Sequence, residues 1–329
     1  LETALLKFLH SRGLAEEFPE RGGADTIQDF SELLRDLGSQ ASVHSLSEWI
    51  AFEAGIYQPG GLVTYLADSC LLDVLTDTTE RSPTFTLPPF RTKEDQTSPR
   101  SWAFVKNPFY STEQSWERVF ARSPRGLSWD RRVYEQLNAP QNLLARPPAL
   151  DRTAICKFPI GRESDSSRTD APDSALIAIA AGADDHRLLG KAAFSSLSGY
   201  RQHLTIFIGE EPPMPNGQHF FHFPCRLRPS PLNLWQHLAV KLTLNTLSTA
   251  TMAKMERIQG NAMVWVWPSN KKLIDRGTRL IRELTGKSYE QSCLLLFQSM
   301  ERVEKLREQG QPVPSPVALV VEEHGTKTD

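Results

Sequence analysis

The sequence predicts an α/β protein: a three-layer sandwich with a mostly parallel sheet between two layers of helices, and helical extensions at both ends. Two observations support this fold class. Five or six short apolar runs alternate with helix-type patterns through the middle of the 329-residue chain, which is the order found in strand–helix–strand units. Towards both ends, apolar residues recur three and four apart, which indicates helices.

Residues 1–43 are predicted to form a helical lead-in. Apolar residues share one face of a helix over 1–18 and again over 27–37, as expected of amphipathic helices. A third helical piece, 45–54, begins the α/β domain, and a glycine pair separates it from the first predicted strand.

The α/β domain is predicted to span 44–230. Its strand candidates are 62–66, 102–105, 153–158, 175–180, 204–208 and 219–223. Ser111 is a good N-cap for a helix over 112–122, and a further helix is predicted over 129–137. The polar, turn-rich stretch 161–173 predicts a mobile surface loop.

Residues 231–329 are predicted to form a C-terminal helical cap. Its helix candidates are 234–255, 271–283 with Ser269 or Asn270 as N-cap, and 289–308 with an apolar side at Leu294, Leu295, Phe297, Met300 and Val303. A short apolar run, 317–321, lies near the end of the chain. Within 234–255, Lys241, Asn245 and Ser248 form one polar stripe, which faces either solvent or a ligand, since periodicity alone cannot distinguish the two.

The composition excludes several classes of protein. A formal net charge of −2 argues against nucleic-acid binding, which requires a basic field. No apolar run approaches the roughly 18 residues of a membrane helix. The four isolated cysteines suit a reducing compartment, and no metal or cofactor motif is present, so we expect no cofactor. The cytoplasm is the expected location, with the nucleus as a second candidate.

Two stretches carry a family resemblance. KLTLNTLSTATMAKMERIQGNAMVWVWPSNKKLIDR resembles the C-terminal signature of the N-acetylmuramic acid 6-phosphate etherases and the related glucokinase regulatory proteins, which reads Lys-x-x-x-Asn-x-x-Ser-Thr, Gly-Asn-x-Met and Pro-(Ser/Thr)-Asn-x-Lys-Leu. The matching residues are Lys241, Asn245, Ser248, Thr249, Gly260, Asn261, Met263, Pro268, Ser269, Asn270, Lys272 and Leu273.

The second stretch, 60–90, is similar to the first strand–helix unit of the sugar isomerase (SIS) domain in the same families. Asp77, Glu80, Thr84 and Phe85 match their Asp-x-x-Glu-x-x-x-Thr-Phe segment. The resemblance implies a SIS-type, flavodoxin-like sandwich. It also implies that Glu80 is a catalytic acid or base, as in the etherases, or contacts a sugar phosphate, as in the regulatory proteins.

The chain departs from these families where they bind phosphate. After the first strand it reads Leu66-Ala-Asp-Ser-Cys-Leu-Leu, with none of the glycines that let backbone N–H groups approach an anion, and Asp68 would repel a phosphate. We find no match to the etherases' second catalytic glutamate. Their serine- and arginine-rich segment is replaced by Leu232-Asn-Leu-Trp-Gln-His.

These departures resemble the second SIS domain and cap of a glucokinase regulatory protein. We therefore expect a non-enzymatic, hexose-phosphate-responsive regulator of a sugar kinase, with a first SIS domain upstream of Leu1 or on a second subunit. Two alternatives remain: an etherase-type lyase acting on an amino-sugar 6-phosphate with Glu80 as catalyst, and a structural SIS domain that binds nothing.

The expected ligand-binding residues are Glu80, Lys241, Asn245, Ser248 and Thr249. A lysine on a largely apolar helix is costly to bury unless it meets an anion, and amide and hydroxyl groups can bond sugar hydroxyls. Each also has a structural alternative: Glu80 can pair with Arg81 or a helix end, Lys241 with a carboxylate at the edge of the core, and Asn245 with backbone.

Overall fold

The structure is a computed structural model of one chain. It describes residues 2–14, 18, 22–126, 129–147, 151–171, 173–195, 197, 199–210, 219–309 and 313–325.

A five-stranded parallel sheet forms the centre of the fold, as predicted. Its strands are β1 (Val63–Leu66), β2 (Ala103–Lys106), β3 (Ala175–Ala181), β4 (Gln202–Ile208) and β5 (His219–Phe223). Their order is β2-β1-β3-β4-β5, the flavodoxin-like order of doubly wound sheets. The strand order reverses between β1 and β3, so the generic ligand crevice of this fold lies beyond the carboxyl ends of these two strands.

Helices precede, connect and follow the strands. They are α1 (Glu2–His10), α2 (Gly23–Leu37), α3 (Gln40–Tyr57), α4 (Leu71–Phe85), α5 (Thr112–Phe120), α6 (Arg131–Gln136), α7 (Gln141–Ala145), α8 (Arg152–Cys156), α9 (Ser166–Thr169), α10 (Lys191–Ser195), α11 (Leu234–Lys254), α12 (Lys271–Thr285), α13 (Tyr289–Glu308) and α14 (Pro316–His324). A 3₁₀ helix, Ala183–Leu189, follows β3.

Alternate residues of the central strand enter two different cores, which makes the fold three-layered. Ile177 and Ile179 of β3 pack in the core with α3, α4 and α11, whereas Leu176, Ala178 and Ala180 pack with the 3₁₀ helix and α10. All seven residues of β3 are buried, as expected of a parallel strand covered on both faces.

The helix α11 belongs to the main core. Ala239, Val240, Leu244 and Leu247 are fully buried in the core shared with α3 and α4. The division of the chain at residues 43 and 230 stays a prediction; the packing shows that the first helix after residue 230 lies against the sheet domain.

The last three helices build a separate small core. Val264 and Val266 pack there with Ile281 of α12, Leu296 of α13 and Val317 of α14. A two-stranded hairpin, β6 (Ile258–Gln259) and β7 (Ala262–Met263), joins α11 to this bundle.

Two local predictions are wrong. The run 153–158 is not a strand: the Asp151 side chain accepts a hydrogen bond from the Ala154 amide at 2.8 Å and begins α8. The predicted loop 161–173 contains α9 and the buried Arg168. The apolar run 317–321, for which no element was predicted, is helical because Ser315 caps α14.

The buried side of α13 also differs from the prediction. Leu294 and Phe297 are 65% and 47% exposed, whereas Ser292 and Ser299 are buried. The Ser299 hydroxyl donates to the Pro316 carbonyl at 2.8 Å, so small polar residues allow α14 to approach closely.

Candidate ligand site between α4 and α11

Glu80 of α4 and Lys241 of α11 lie together. The Lys241 Nζ is 4.0 Å from the Glu80 Oε2, with the lysine side chain 28% and the glutamate side chain 63% exposed. The structure therefore brings together the two principal residues that the sequence predicted for the site, and the carboxylate partner that Lys241 was expected to need as a structural residue is Glu80 itself.

A row of polar contacts runs along the line where α4 and the residues just before it pack on α11. We call this row the α4–α11 seam; it consists of Ser69, Asp73, Glu80, Gln236, His237 and Lys241. The Gln236 side chain donates to the Ser69 hydroxyl at 2.8 Å, and His237 Nδ1 lies 2.6 Å from Asp73 Oδ2. The hydrogen bond with Asp73 raises the pKa of His237, so this pair favours the imidazolium form. The Lys241 pair continues the seam one helical turn further along α11.

The remaining predicted residues do not all share this surface. Asn245 and Thr249 are exposed. Ser248 is buried, and its hydroxyl donates to the Asn245 carbonyl at 3.2 Å. The predicted polar stripe is thus divided: Ser248 makes a backbone contact within its own helix, while Asn245 and Thr249 remain accessible.

Arg81 turns away from Glu80 into the core. Its Nε donates to Asp77 Oδ2 at 2.8 Å and its Nη1 to Glu53 Oε2 at 3.3 Å. The alternative that Glu80 pairs with Arg81 is therefore wrong: Arg81 anchors α4 from inside and leaves Glu80 on the seam.

This buried network contains an unusual carboxyl group. Glu53 is fully buried, and the Tyr65 hydroxyl donates to it. Burial raises the pKa of Glu53 to about 7, although the Arg81 charge opposes the shift. The network includes a second carboxylate, Asp77, so two acidic groups share one guanidinium, and protonation of Glu53 relieves that imbalance.

A protein carboxylate occupies the position where α4 could meet an anion. Asp185 accepts hydrogen bonds from the Ser69 amide at 3.2 Å, the Ser69 hydroxyl at 2.6 Å and the Ala181 amide at 3.2 Å. Burial raises the pKa of Asp185. A phosphate at this point would meet the Asp185 carboxylate in place of unoccupied N–H groups.

Asp68 adds a second negative charge at the same crevice. It accepts a hydrogen bond from Asn107 Nδ2 at 2.8 Å and one from Arg187 Nε at 3.0 Å. Asp68 was predicted from the sequence to repel an anion here, whereas Asp185 and Arg187 were not predicted. The signal that could have indicated them was their place directly after β3, at the carboxyl edge of the sheet.

The described residues contain no group of three or more metal-ligating side chains. Within the same residues, no helix combines the length and apolar character needed to cross a bilayer.

The chain is thus a doubly wound α/β protein, and the polar side chains of the α4–α11 seam lie beside the point where its strand order reverses. No protein-family model matches the chain. Among curated proteins, it is 34% identical over 143 residues to the N-acetylmuramic acid 6-phosphate etherase of Synechococcus sp. (strain CC9605), which covers 41% of this chain and 44% of the relative.

Shorter matches involve other etherases of the same name. The chain is 48% identical over 63 residues to the protein of Nostoc sp. (19% of this chain, 20% of the relative) and 50% identical over 59 residues to that of Bacteroides thetaiotaomicron (18% and 21%). The chain thus matches less than half the length of each relative. The predicted resemblance to the etherases and their SIS domains is confirmed, and it is the etherase side of the resemblance that these relatives support.

Proposed function

We propose that this chain is an etherase-like SIS unit whose α4–α11 seam binds an amino-sugar 6-phosphate through Glu80 and Lys241. The observation that carries the proposal is the 4.0 Å approach of these two side chains. They come from the two separate motifs that resemble the etherases, and packing of α4 on α11 brings them together. The similarity to curated etherases favours this function over the regulatory one.

The chemistry of the pair suits such a ligand. Lys241 is partly desolvated, which strengthens its attraction for a phosphate or a sugar carboxylate. Glu80 is accessible and can accept hydrogen bonds from sugar hydroxyls or exchange a proton with the substrate. Cleavage of the lactyl ether of N-acetylmuramic acid 6-phosphate needs one proton removed and one delivered to the leaving oxygen, and Glu80 would perform one of these transfers.

A second SIS unit, in the same protein or on another subunit, would complete the site. Asp185 already fills the anion position at the start of α4, so the phosphate cradle would come from the second unit. Glu80 would likewise be joined there by a second acid or base.

Calorimetric titration tests the seam. We expect binding of N-acetylmuramic acid 6-phosphate or N-acetylglucosamine 6-phosphate to weaken about tenfold or more in Glu80→Gln and Lys241→Ala, because each removes a charge-assisted contact. The matched control is the exposed pair Arg302–Glu323 on the cap. Arg302→Ala and Glu323→Gln should leave the affinity unchanged.

The products distinguish the candidate functions. Release of lactate, lost in Glu80→Gln, supports the etherase. Binding of fructose 6-phosphate or fructose 1-phosphate without lactate release, at the same seam, supports the second candidate, a regulator with a sugar kinase as partner. The Asp185-filled anion position favours that candidate, because it leaves this unit without a phosphate cradle of its own. Affinities unaffected by both seam variants would show that the ligand lies elsewhere.

A further inference from the structure

A large cleft lies on the outer side of β2, away from the α4–α11 seam. It has a volume of about 760 Å³ and is bordered by residues 91–101, the start of α5, α8 and residues 159–168. It shares no residue with the seam. We propose that this cleft binds a second ligand, a small hydroxylated anion of the sugar phosphate or sugar acid class.

The floor of the cleft contains a buried cation with neutral partners. Arg168 is 3% exposed. Its Nε donates to Thr64 Oγ1 at 2.7 Å, its Nη2 to the Val63 carbonyl at 2.8 Å and its Nη1 to the Ser101 carbonyl at 3.0 Å. Among the described residues no carboxylate lies within ion-pair distance of this guanidinium, so its direct hydrogen-bond partners are neutral oxygens. Asp165 attracts its charge from a longer distance.

A second buried cation lies behind residues 159–163, which border the cleft. Lys106, the last residue of β2, is fully buried. Its Nζ donates to the carbonyls of Pro159, Gly161 and Glu163 at 2.8, 3.0 and 2.7 Å. Burial lowers the pKa of Lys106 to about 8, which leaves the ammonium largely charged at neutral pH. In the described part of the chain neither of these two cations has a carboxylate within ion-pair distance, and Asp165 attracts both from further away. The two cations add positive charge beside the cleft.

Cations also stand at the rim. Arg91 Nη1 donates to the Ser98 carbonyl at 2.7 Å, and Arg100 donates to the Ser167 carbonyl. Lys93 is exposed, and its ammonium has no partner among the described residues. An anion in the cleft could therefore contact Lys93 without displacing an existing ion pair.

The carboxylates of the lining are already engaged. Glu163 accepts a hydrogen bond at 2.8 Å from the amide of Thr112, the first residue of α5, and Asp165 accepts one from the Ser167 amide at 3.1 Å. Asp95 accepts from the Ser98 amide at 2.9 Å, and Glu113 pairs with Arg152. These carboxylates serve helix starts, a turn and one ion pair, and Glu163 and Asp165 also offset part of the charge of the buried cations.

The lining and size indicate the remainder of the ligand. Thr153, Ser164 and Ser166 are exposed and present hydroxyls to the cleft, which can bond the hydroxyls of a sugar. The volume lies in the ordinary range of small-molecule sites. Positive charge together with hydroxyl groups favours a hexose that carries a phosphate or a carboxylate.

The test is titration with glucose 6-phosphate, glucuronate, inorganic phosphate and uncharged glucose, monitored by calorimetry and by amide hydrogen exchange. We expect a charged sugar to bind and to protect amides in 91–101 and 159–168. Lys93→Ala should weaken this binding about tenfold. Lys254→Ala removes the same charge from an exposed lysine outside the cleft and should leave the affinity unchanged.

The probes distinguish the two classes of ligand. Preferential binding of glucose 6-phosphate identifies a sugar phosphate, and preferential binding of glucuronate identifies a sugar acid. Loss of binding in Lys241→Ala but not in Lys93→Ala would overturn the proposal, because the anion would then lie at the seam. Equal binding of glucose, or no binding of any probe, would overturn it as well. Failure of the seam proposal leaves these outcomes unaffected.

Discussion

At the scale of single residues, Glu53 is a carboxyl group that is fully removed from solvent. It lies under the α4–α11 seam, bonded to Tyr65 and Arg81 and without solvent contact. Its pKa is raised from 4.5 to about 7 by burial. The folded protein therefore holds a proton that the unfolded chain releases, so the stabilisation is complete below pH 4.5 and is lost as the pH rises through 7.

Substitution of Glu53 should change the pH dependence of stability. Between pH 5 and pH 8 the free energy of unfolding of the native sequence should fall relative to Glu53→Gln, by about 3 kcal/mol. Urea unfolding at several pH values measures this difference. Glu301→Gln, an exposed position on α13, should follow the native profile. Parallel profiles for Glu53→Gln and the native sequence would contradict the raised pKa.

At the scale of elements, one arginine joins the end of α11 to two distant segments. The Arg257 guanidinium lies 4.4 Å from the ring centre of Trp102, just before β2, and 4.0 Å from that of Trp265, just after β7. Arg257 is 9% exposed, and burial lowers its pKa to about 10, so it remains charged between the two rings. Desolvated cation–π contacts are stronger than exposed ones.

Removal of this contact should be costly. Arg257→Ala is expected to lower the free energy of unfolding by about 2 kcal/mol or more, through loss of both ring contacts and of packing. Arg257→Lys should recover only part of it. Chemical denaturation provides the measurement, with Arg307→Ala as control. Arg307 lies 4.1 Å from Trp267 but is exposed, so an equal loss there would show that burial does not strengthen the contact.

At the scale of the whole molecule, the protein has a large core around the sheet and a small one among α12, α13 and α14. The small core depends on the absence of a side chain at Gly277. A Cβ atom there would lie 3.0 Å from Val317 Cγ2 and 3.3 Å from Leu296 Cδ2. A larger residue would overpack the three-helix junction.

Gly277→Leu should therefore destabilise the bundle of α12, α13 and α14 more than it destabilises the sheet. We expect loss of about 1–3 kcal/mol and reduced amide protection in α12–α14, with protection of β3 and β4 retained. Hydrogen exchange measured by mass spectrometry separates the two regions. Gly55→Leu is the control: Gly55 also lies inside a helix, but nothing is within 4 Å of its added Cβ. Simultaneous loss of protection in sheet and cap would mean that the two cores unfold as one.

Much of this architecture follows from local signals. Ser111 caps α5, as predicted, and Asn270 is the one of the two predicted caps, Ser269 and Asn270, that caps α12. In both, a side-chain oxygen accepts a hydrogen bond from the amide three residues ahead in the chain. The apolar runs became β1–β5, and the 20-residue helix over Tyr289–Glu308 has the predicted bounds. The prediction of a strand over 153–158 was wrong because a short apolar run fits a helix as well as a strand, and the Asp151 cap selects the helix.

The sequence by itself determined the five strands of the sheet, the long helices α11, α12 and α13 and the resemblance to the etherases, because periodicity, capping and motifs are local properties. Only the tertiary structure decided that Glu80 meets Lys241, that Arg81 turns inward, that Ser248 is buried and that Asp185 fills the anion position at α4. Each of these depends on which faces of distant segments pack together. Packing of α4 between α3, α11 and the sheet leaves one orientation for each side chain, and that orientation separates a ligand contact from a structural one.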